Sequence, residues 1–147
     1  MKRRLVFNAN EVEGFSPSGS EGVFVSRMLV DQESVGSQKV VVNNFILKPG
    51  KSTEAGSHPA PFDEIYYVLR GSGIVFLGDE REPHEIQPNS YVFIPGGTLH
   101  YLVNNGNQDL EMITIMPGPL PEGVNTLYDM RKKTWGASFR LVSYEKH

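Results

Sequence analysis

The chain has no cysteine, which excludes disulfides, thiolate zinc sites and cysteine nucleophiles together, so any metal must rest on histidine and carboxylate. That composition fits a reducing compartment. A strongly basic stretch is also missing: the net charge is −3, and the densest basic run, MRKK at 130–133, reads as a solvated turn or tail. The electrostatic footprint of a nucleic-acid binder is therefore lacking. No apolar run is long enough to span a bilayer. The opening MKRRLVFNANEVEG is basic and then briefly apolar, but Asn8, Asn10, Glu11 and Glu13 cut the run before it could form a signal core. These absences predict a cytoplasmic protein that contacts neither nucleic acid nor membrane. Nor is there a Gly-x-Ser-x-Gly elbow, a phosphate-binding glycine loop or a dinucleotide fingerprint, and Gly71-Ser72-Gly73 reads as a hairpin turn.

A chain of 147 residues is enough for one compact domain and too short for two. Short runs rich in Val, Ile, Phe and Tyr alternate with Gly, Pro, Asn and Asp clusters, which predicts an all-β domain. The strands are expected over 23–30, 39–47, 64–69, 73–77, 91–94, 100–103 and 110–115. Pro49-Gly50, Gly78-Asp79, Pro95-Gly96-Gly97 and Asn104-Asn105-Gly106 supply the turn conformations between them. This spacing suggests a sandwich or barrel. Residues 1–38 read as an N-terminal part of the same domain, with a strand over 4–8 and a loop at GFSPSGSEG. Residues 39–116 form the core barrel. After the PGPLPEG break, residues 117–147 form an arm that carries the only tryptophan, Trp135, and a last strand near 139–142.

Three residues carry the chemistry. Pro59 and Pro61 push the residues before them toward extended backbone, so the segment around His58 is not helical. Alternation places Glu64, Tyr66 and Val68 on one strand face and His100, Leu102 and Asn104 on another. If the strands close into a small barrel, one face points inward and His58, Glu64 and His100 can converge. Burying two imidazoles and a carboxylate in an apolar interior is costly unless something satisfies them, and a divalent metal does so directly.

The residues around them resemble the paired motifs of the cupin family. In GKSTEAGSHPAPFDEIYYVLRG, residues 50–71, Gly50, His58, Glu64 and Gly71 fit the frame of a glycine, a His-x-His pair, a glutamate and a glycine. In PNSYVFIPGGTLHYLVN, residues 88–104, Pro95, Gly97, His100 and Asn104 fit the second motif, with Asn89 where a glycine usually opens it. The resemblance spans roughly residues 39–116 and implies a double-stranded β-helix, a jelly-roll barrel, in a single domain. One histidine of the His-x-His pair is absent. Either Gly56 replaces the first, with one extra residue before Glu64, or Ala60 replaces the second; the first register disturbs less.

By this resemblance His58, Glu64 and His100 are the metal ligands, a reduced form of a three-histidine, one-glutamate set, and the ion is iron, zinc, nickel or manganese. Two neutral imidazoles and one carboxylate leave a divalent ion with a net charge of about +1 and open positions, which suits an anionic, oxygen-rich ligand. Glu54, Asp63 and Tyr66 are lesser candidates for the missing ligand, and Tyr66 is a candidate proton donor. Tyr66, Phe45 and Met112 are candidates to line a pocket above the metal, and Arg27 and Arg70 to receive a substrate carboxylate. His84, in the charged turn GDEREPHEIQP, and the terminal His147 read as surface groups. The functional expectation is a metal-dependent enzyme of dioxygenase, isomerase or lyase type acting on a small polar anion. The alternative is a cupin that captures a sugar or metabolite without turning it over. The terminal arm, by analogy with such folds, implies a homodimer.

Overall fold

The computed structural model describes residues 5–136. Eight strands follow one another: β1 (Phe24–Val30), β2 (Val40–Leu47), β3 (Glu64–Arg70), β4 (Gly73–Leu77), β5 (Glu82–Ile86), β6 (Tyr91–Ile94), β7 (His100–Val103) and β8 (Leu110–Pro117), and a helix α1 (Thr126–Trp135) closes the described chain. The strands form a five-stranded sheet in the order β1-β2-β8-β3-β6 and a three-stranded sheet in the order β5-β4-β7, with every pairing antiparallel. Isolated bridges from Ser52 to Val103 and from Gly56 to His100 lay residues 52–56 along the free edge of β7. This is the double-stranded β-helix. The segment leading to His58 is thereby fixed beside the strand that carries His100.

Alternation decides what points inward. On β3, Glu64, Tyr66 and Val68 are buried while Ile65 and Leu69 face out, and on β7 His100 and Leu102 are buried. Leu47, Val68, Val75, Ile94, Leu102, Leu110 and Met112 fill one end of the space between the sheets. A second cluster of Met28, Val41, Met116, Leu120, Val124 and Tyr128 joins the barrel to α1 and the residues before it. Between the two clusters lies a cavity of about 600 Å³.

Four expectations need correction. GDEREPHEIQP is not only a turn: Glu82–Ile86 is β5, hydrogen-bonded to β4, and His84 stands exposed on it. An edge strand buries almost nothing, here only Ile86, so it carries no apolar alternation to read, and Pro83 is tolerated on an edge. Residues 5–8 do not form a strand. Asn8 instead caps a 3-10 turn at Ala9–Glu11, accepting from the Asn10 N–H at 2.9 Å, while Glu11 accepts from the Asn8 N–H at 3.0 Å.

The arm contains a helix that the weak apolar periodicity of TLYDMRKKTW concealed. Its signals were Asn125, whose side chain accepts from the Tyr128 N–H at 3.0 Å, and Gly136, which ends it at φ 77°. MRKK is therefore not a solvated tail. Arg131 is buried and donates to Asp31 Oδ2 at 3.1 Å, and Lys132 lies 2.7 Å from Glu33. The strand expected near 139–142 and His147 lie outside the described residues.

Candidate metal centre

Each of the three side chains reaches one point by a different route. Glu64 opens β3 on its inward face, and His100 opens β7 on the inward face of the opposite sheet. His58 sits in the loop between residues 52–56 and β3, where tight packing holds the backbone: a Cβ on Gly96 would come within 2.8 Å of Ala60 Cα. Gly96 must therefore be glycine for the β6–β7 turn to pass so near this loop. The Gly96 N–H also donates to Asp63 Oδ1 at 2.9 Å, which ties the turn to the loop a second time.

The donor atoms converge. Glu64 Oε1 lies 3.2 Å from His58 Nε2 and 3.5 Å from His100 Nε2, and one donor atom from each residue falls within 4.8 Å of the others. A tetrahedral ion with bonds of about 2.0–2.2 Å needs ligand separations of roughly 3.3–3.6 Å, so the two short edges match. The tautomers follow from the partners. His58 Nδ1 faces the Val124 carbonyl oxygen at 2.8 Å and His100 Nδ1 faces that of Thr98 at 2.9 Å. A carbonyl only accepts, so in each neutral ring the proton sits on Nδ1 and Nε2 offers a lone pair.

Two lone pairs and a carboxylate oxygen then point at one another in the interior. Glu64 Oε1 is buried without a hydrogen-bond partner. Such an arrangement needs a cation, either a metal ion or a proton on one ring. The electrostatics agree. Burial pushes the Glu64 carboxyl up, but the hydrogen bonding and charge that His100 and His58 supply when protonated outweigh it and hold the group below its ordinary 4.5. Burial pushes His58 down, yet Glu64 more than compensates, and its imidazole lies above the ordinary 6.5. The donor set and its outer hydrogen bonds fit a divalent ion.

Gly56 stands directly across from His100, donating to its carbonyl at 3.2 Å and accepting from its N–H at 2.8 Å. Residues opposite each other in an antiparallel pair share a face. A Cβ on Gly56 would meet nothing within 4 Å, so the site is open on this side. This placement agrees with the register in which Gly56 takes the place of the absent histidine.

Tyr66 lies on the same face of β3 as Glu64, its ring 6.2 Å from that of His100. Burial, reinforced by the Glu64 charge, raises the phenol well above its ordinary 10. Phe45 lines the cavity as expected, whereas Met112 is buried in the core away from it. Glu54 is exposed at the cavity mouth, and Asp63 is engaged by Gly96. Arg27 donates to the Val12 carbonyl and Asn44, and Arg70 to Glu111; neither lines the cavity. Two parts escaped sequence reasoning. The Val124 carbonyl leaves no sequence signal because any residue carries one, and the α1 wall of the cavity depends on a helix that was not expected.

Two antiparallel sheets closed around a buried imidazole–imidazole–carboxylate cluster define a double-stranded β-helix with a candidate metal pocket. The cupin domain model matches residues 43–116, just over half of the chain, and the protein belongs to the cupin family. Among curated proteins it is similar to the oxalate-binding protein of Thermotoga maritima, 29% identical over 98 residues that cover 67% of this chain and 78% of the relative. Among solved structures it resembles a predicted oxalate decarboxylase from Thermotoga maritima (TM-score 0.66, 23% identity, covering 77% of this chain and 98% of the other). The polyketide cyclase RemF from Streptomyces resistomycificus is similar over more of this chain (TM-score 0.66, 23% identity, covering 91% and 94%). Among the described residues, no helix is long and apolar enough to cross a membrane.

Proposed function

We propose that His58, Glu64 and His100 hold a divalent ion and that the protein is a metal-dependent cupin enzyme whose substrate presents an anionic oxygen donor there. The convergence of three electron-pair donors, with both imidazole protons committed to the Val124 and Thr98 carbonyls, carries this reading. Iron, zinc, nickel or manganese bound there would supply Lewis-acid polarisation or dioxygen chemistry. Glu64 brings the only negative charge of the three, which favours an anionic head on the substrate. Gly56 leaves the approach to the cluster clear. Tyr66, kept protonated, is placed to donate to an oxyanion that develops beside Glu64. Dioxygenation, isomerisation or lyase chemistry all fit these roles.

A second reading, a module that captures a metabolite without turnover, draws on the same Gly56: only three donors are present, and the Thermotoga relative is named for binding oxalate. Metal-loaded protein assayed with 2-oxo acids, β-diketones and diols separates the two. The enzyme reading expects turnover, and Tyr66→Phe should retain the metal while losing about 10²–10⁴-fold in rate. Stoichiometric metal with no turnover across the panel favours capture, and no saturable metal uptake removes the enzyme reading.

The same reading takes the protein as a cytoplasmic homodimer. Exposed Tyr91 and Phe93 on β6, beside Ile65 and Leu69 on β3, give the larger sheet an apolar outer face suited to a second copy. Light scattering at micromolar concentration should read twice the chain mass; a monomer mass would remove this part.

A further inference from the structure

The cavity is larger than the small polar anion suggested by the metal cluster alone would fill, and the greater part of its lining is apolar. Its volume of about 600 Å³ lies within the ~300–1,000 Å³ typical of pockets that enclose drug-sized ligands. A two-carbon dicarboxylate seated at His58, Glu64 and His100 would leave most of it as water against hydrocarbon. Away from the cluster the wall is built from buried Met28, Val41, Phe45, Met116 and Leu120 and from partly buried Phe24. Leu127 and Met130 of α1 add to it from the outside.

Apart from Glu54 at the mouth and Arg131, the polar side chains that line the cavity away from the cluster are neutral. Ser26 donates to Asn43 Oδ1 at 2.7 Å, both side chains being buried on inward faces of β1 and β2, and Thr114 faces the same space from β8. Among the described residues lining the cavity, Arg131 is the only Lys or Arg, and Asp31 already engages it at 3.1 Å. A ligand with a second, distal carboxylate would find no available cation to receive it. One with hydroxyl or carbonyl groups along an apolar body would find Ser26, Asn43 and Thr114.

We infer that the substrate is a ring-bearing, largely apolar acid or enolisable ketone. Its single chelating oxygen head meets the His58–Glu64–His100 cluster, and its body lies along the wall of Phe24, Phe45 and Met116 toward α1. This rests on the proposed metal role for the position of the head, while the preference for an apolar body rests on the cavity alone.

Salicylate and 3-hydroxy-2-naphthoate share one chelating head and differ by a fused ring, so their ratio isolates the wall. Isothermal titration of the zinc-loaded protein should show the naphthoate binding about tenfold tighter, the gain expected when the added ring is buried. The same preference should persist, at weaker absolute affinity, in metal-free protein. Leu127→Trp and, independently on the more exposed part of α1, Met130→Trp narrow the cavity and should cut the naphthoate advantage. Circular dichroism establishes that each variant is folded. Equal affinity for the two acids, or tighter binding of salicylate, overturns this inference even if zinc binds. Absence of zinc uptake with the ring preference intact overturns the metal reading and leaves this one standing.

Discussion

His100→Ala should abolish stoichiometric binding of a divalent metal. His100 contributes one of three donors and is buried on a strand, with its ring fixed by the Thr98 carbonyl at 2.9 Å, so no neighbour can swing in to replace it. Loss of an outer hydrogen-bond partner alone costs about 10–100-fold in metal affinity, and loss of a ligand should cost at least ~100-fold. Isothermal titration with zinc reads this directly. Thermal denaturation gives a second view: zinc at about 100 times its Kd should stabilise the wild type by ~2.7 kcal/mol and His100→Ala by almost nothing. Full metal retention in the variant would overturn the ligand set.

The wild type adds a pH signature with a definite sign. Without metal, the raised His58 contributes stability that is fully present below 6.5 and is lost as pH rises through its folded pKa. The lowered Glu64 contributes stability that is present above 4.5 and is lost as pH falls through its folded pKa. From this pair, the metal-free protein is favoured most between 4.5 and 6.5. Metal needs the unprotonated ring, so zinc stabilisation should shrink as pH falls through the His58 transition. A zinc-induced rise in Tm that grew on acidification would contradict the site.

Asp31→Ala should be the most destabilising single change outside the barrel core. Asp31 sits at the end of β1, where its carboxylate accepts from Tyr128 Oη at 2.9 Å, Arg131 Nη2 at 3.1 Å and the Ser34 N–H at 2.7 Å. Arg131 is only 4% exposed, so removing the carboxylate takes away an ion partner from a guanidinium held in the interior. Breaking a buried pair in this way costs about 3–5 kcal/mol, which in a chain of this size lowers Tm by roughly 10 °C or more. Asp31→Asn keeps hydrogen-bonding capacity while losing the charge, and should cost less. The effect should also reach the metal. The Val124 carbonyl that orients His58 lies two residues before α1, and Asp31 holds α1 on the barrel. Weaker zinc binding in Asp31→Ala, with His58 itself intact, would reveal that link; a Tm unchanged within a few degrees would show that the pair contributes little.

The strands that build the barrel were legible because each buries one face. Glu64, Tyr66 and Val68 alternate with outward residues, and His100 and Leu102 do the same on β7. β5 was not legible because, as an edge strand, it buries only Ile86. α1 was obscured because it docks through few contacts, one of them an arginine whose burial depends on an aspartate 100 residues away.

By itself, then, the sequence determined that a metal could be held only by histidine and carboxylate, which strands would carry His100 and Glu64, and that the segment around His58 would not be helical. Those properties are local: residue chemistry, a period of two and the φ restriction before proline. Tertiary structure alone decided the rest. It brought the donors to within bonding reach of one ion, turned both Nε2 lone pairs inward through the Thr98 and Val124 carbonyls, and enclosed a cavity of about 600 Å³ under a helix. Each of these depends on groups distant along the chain meeting in space, where a backbone carbonyl or a wall of methyl groups acts through its position.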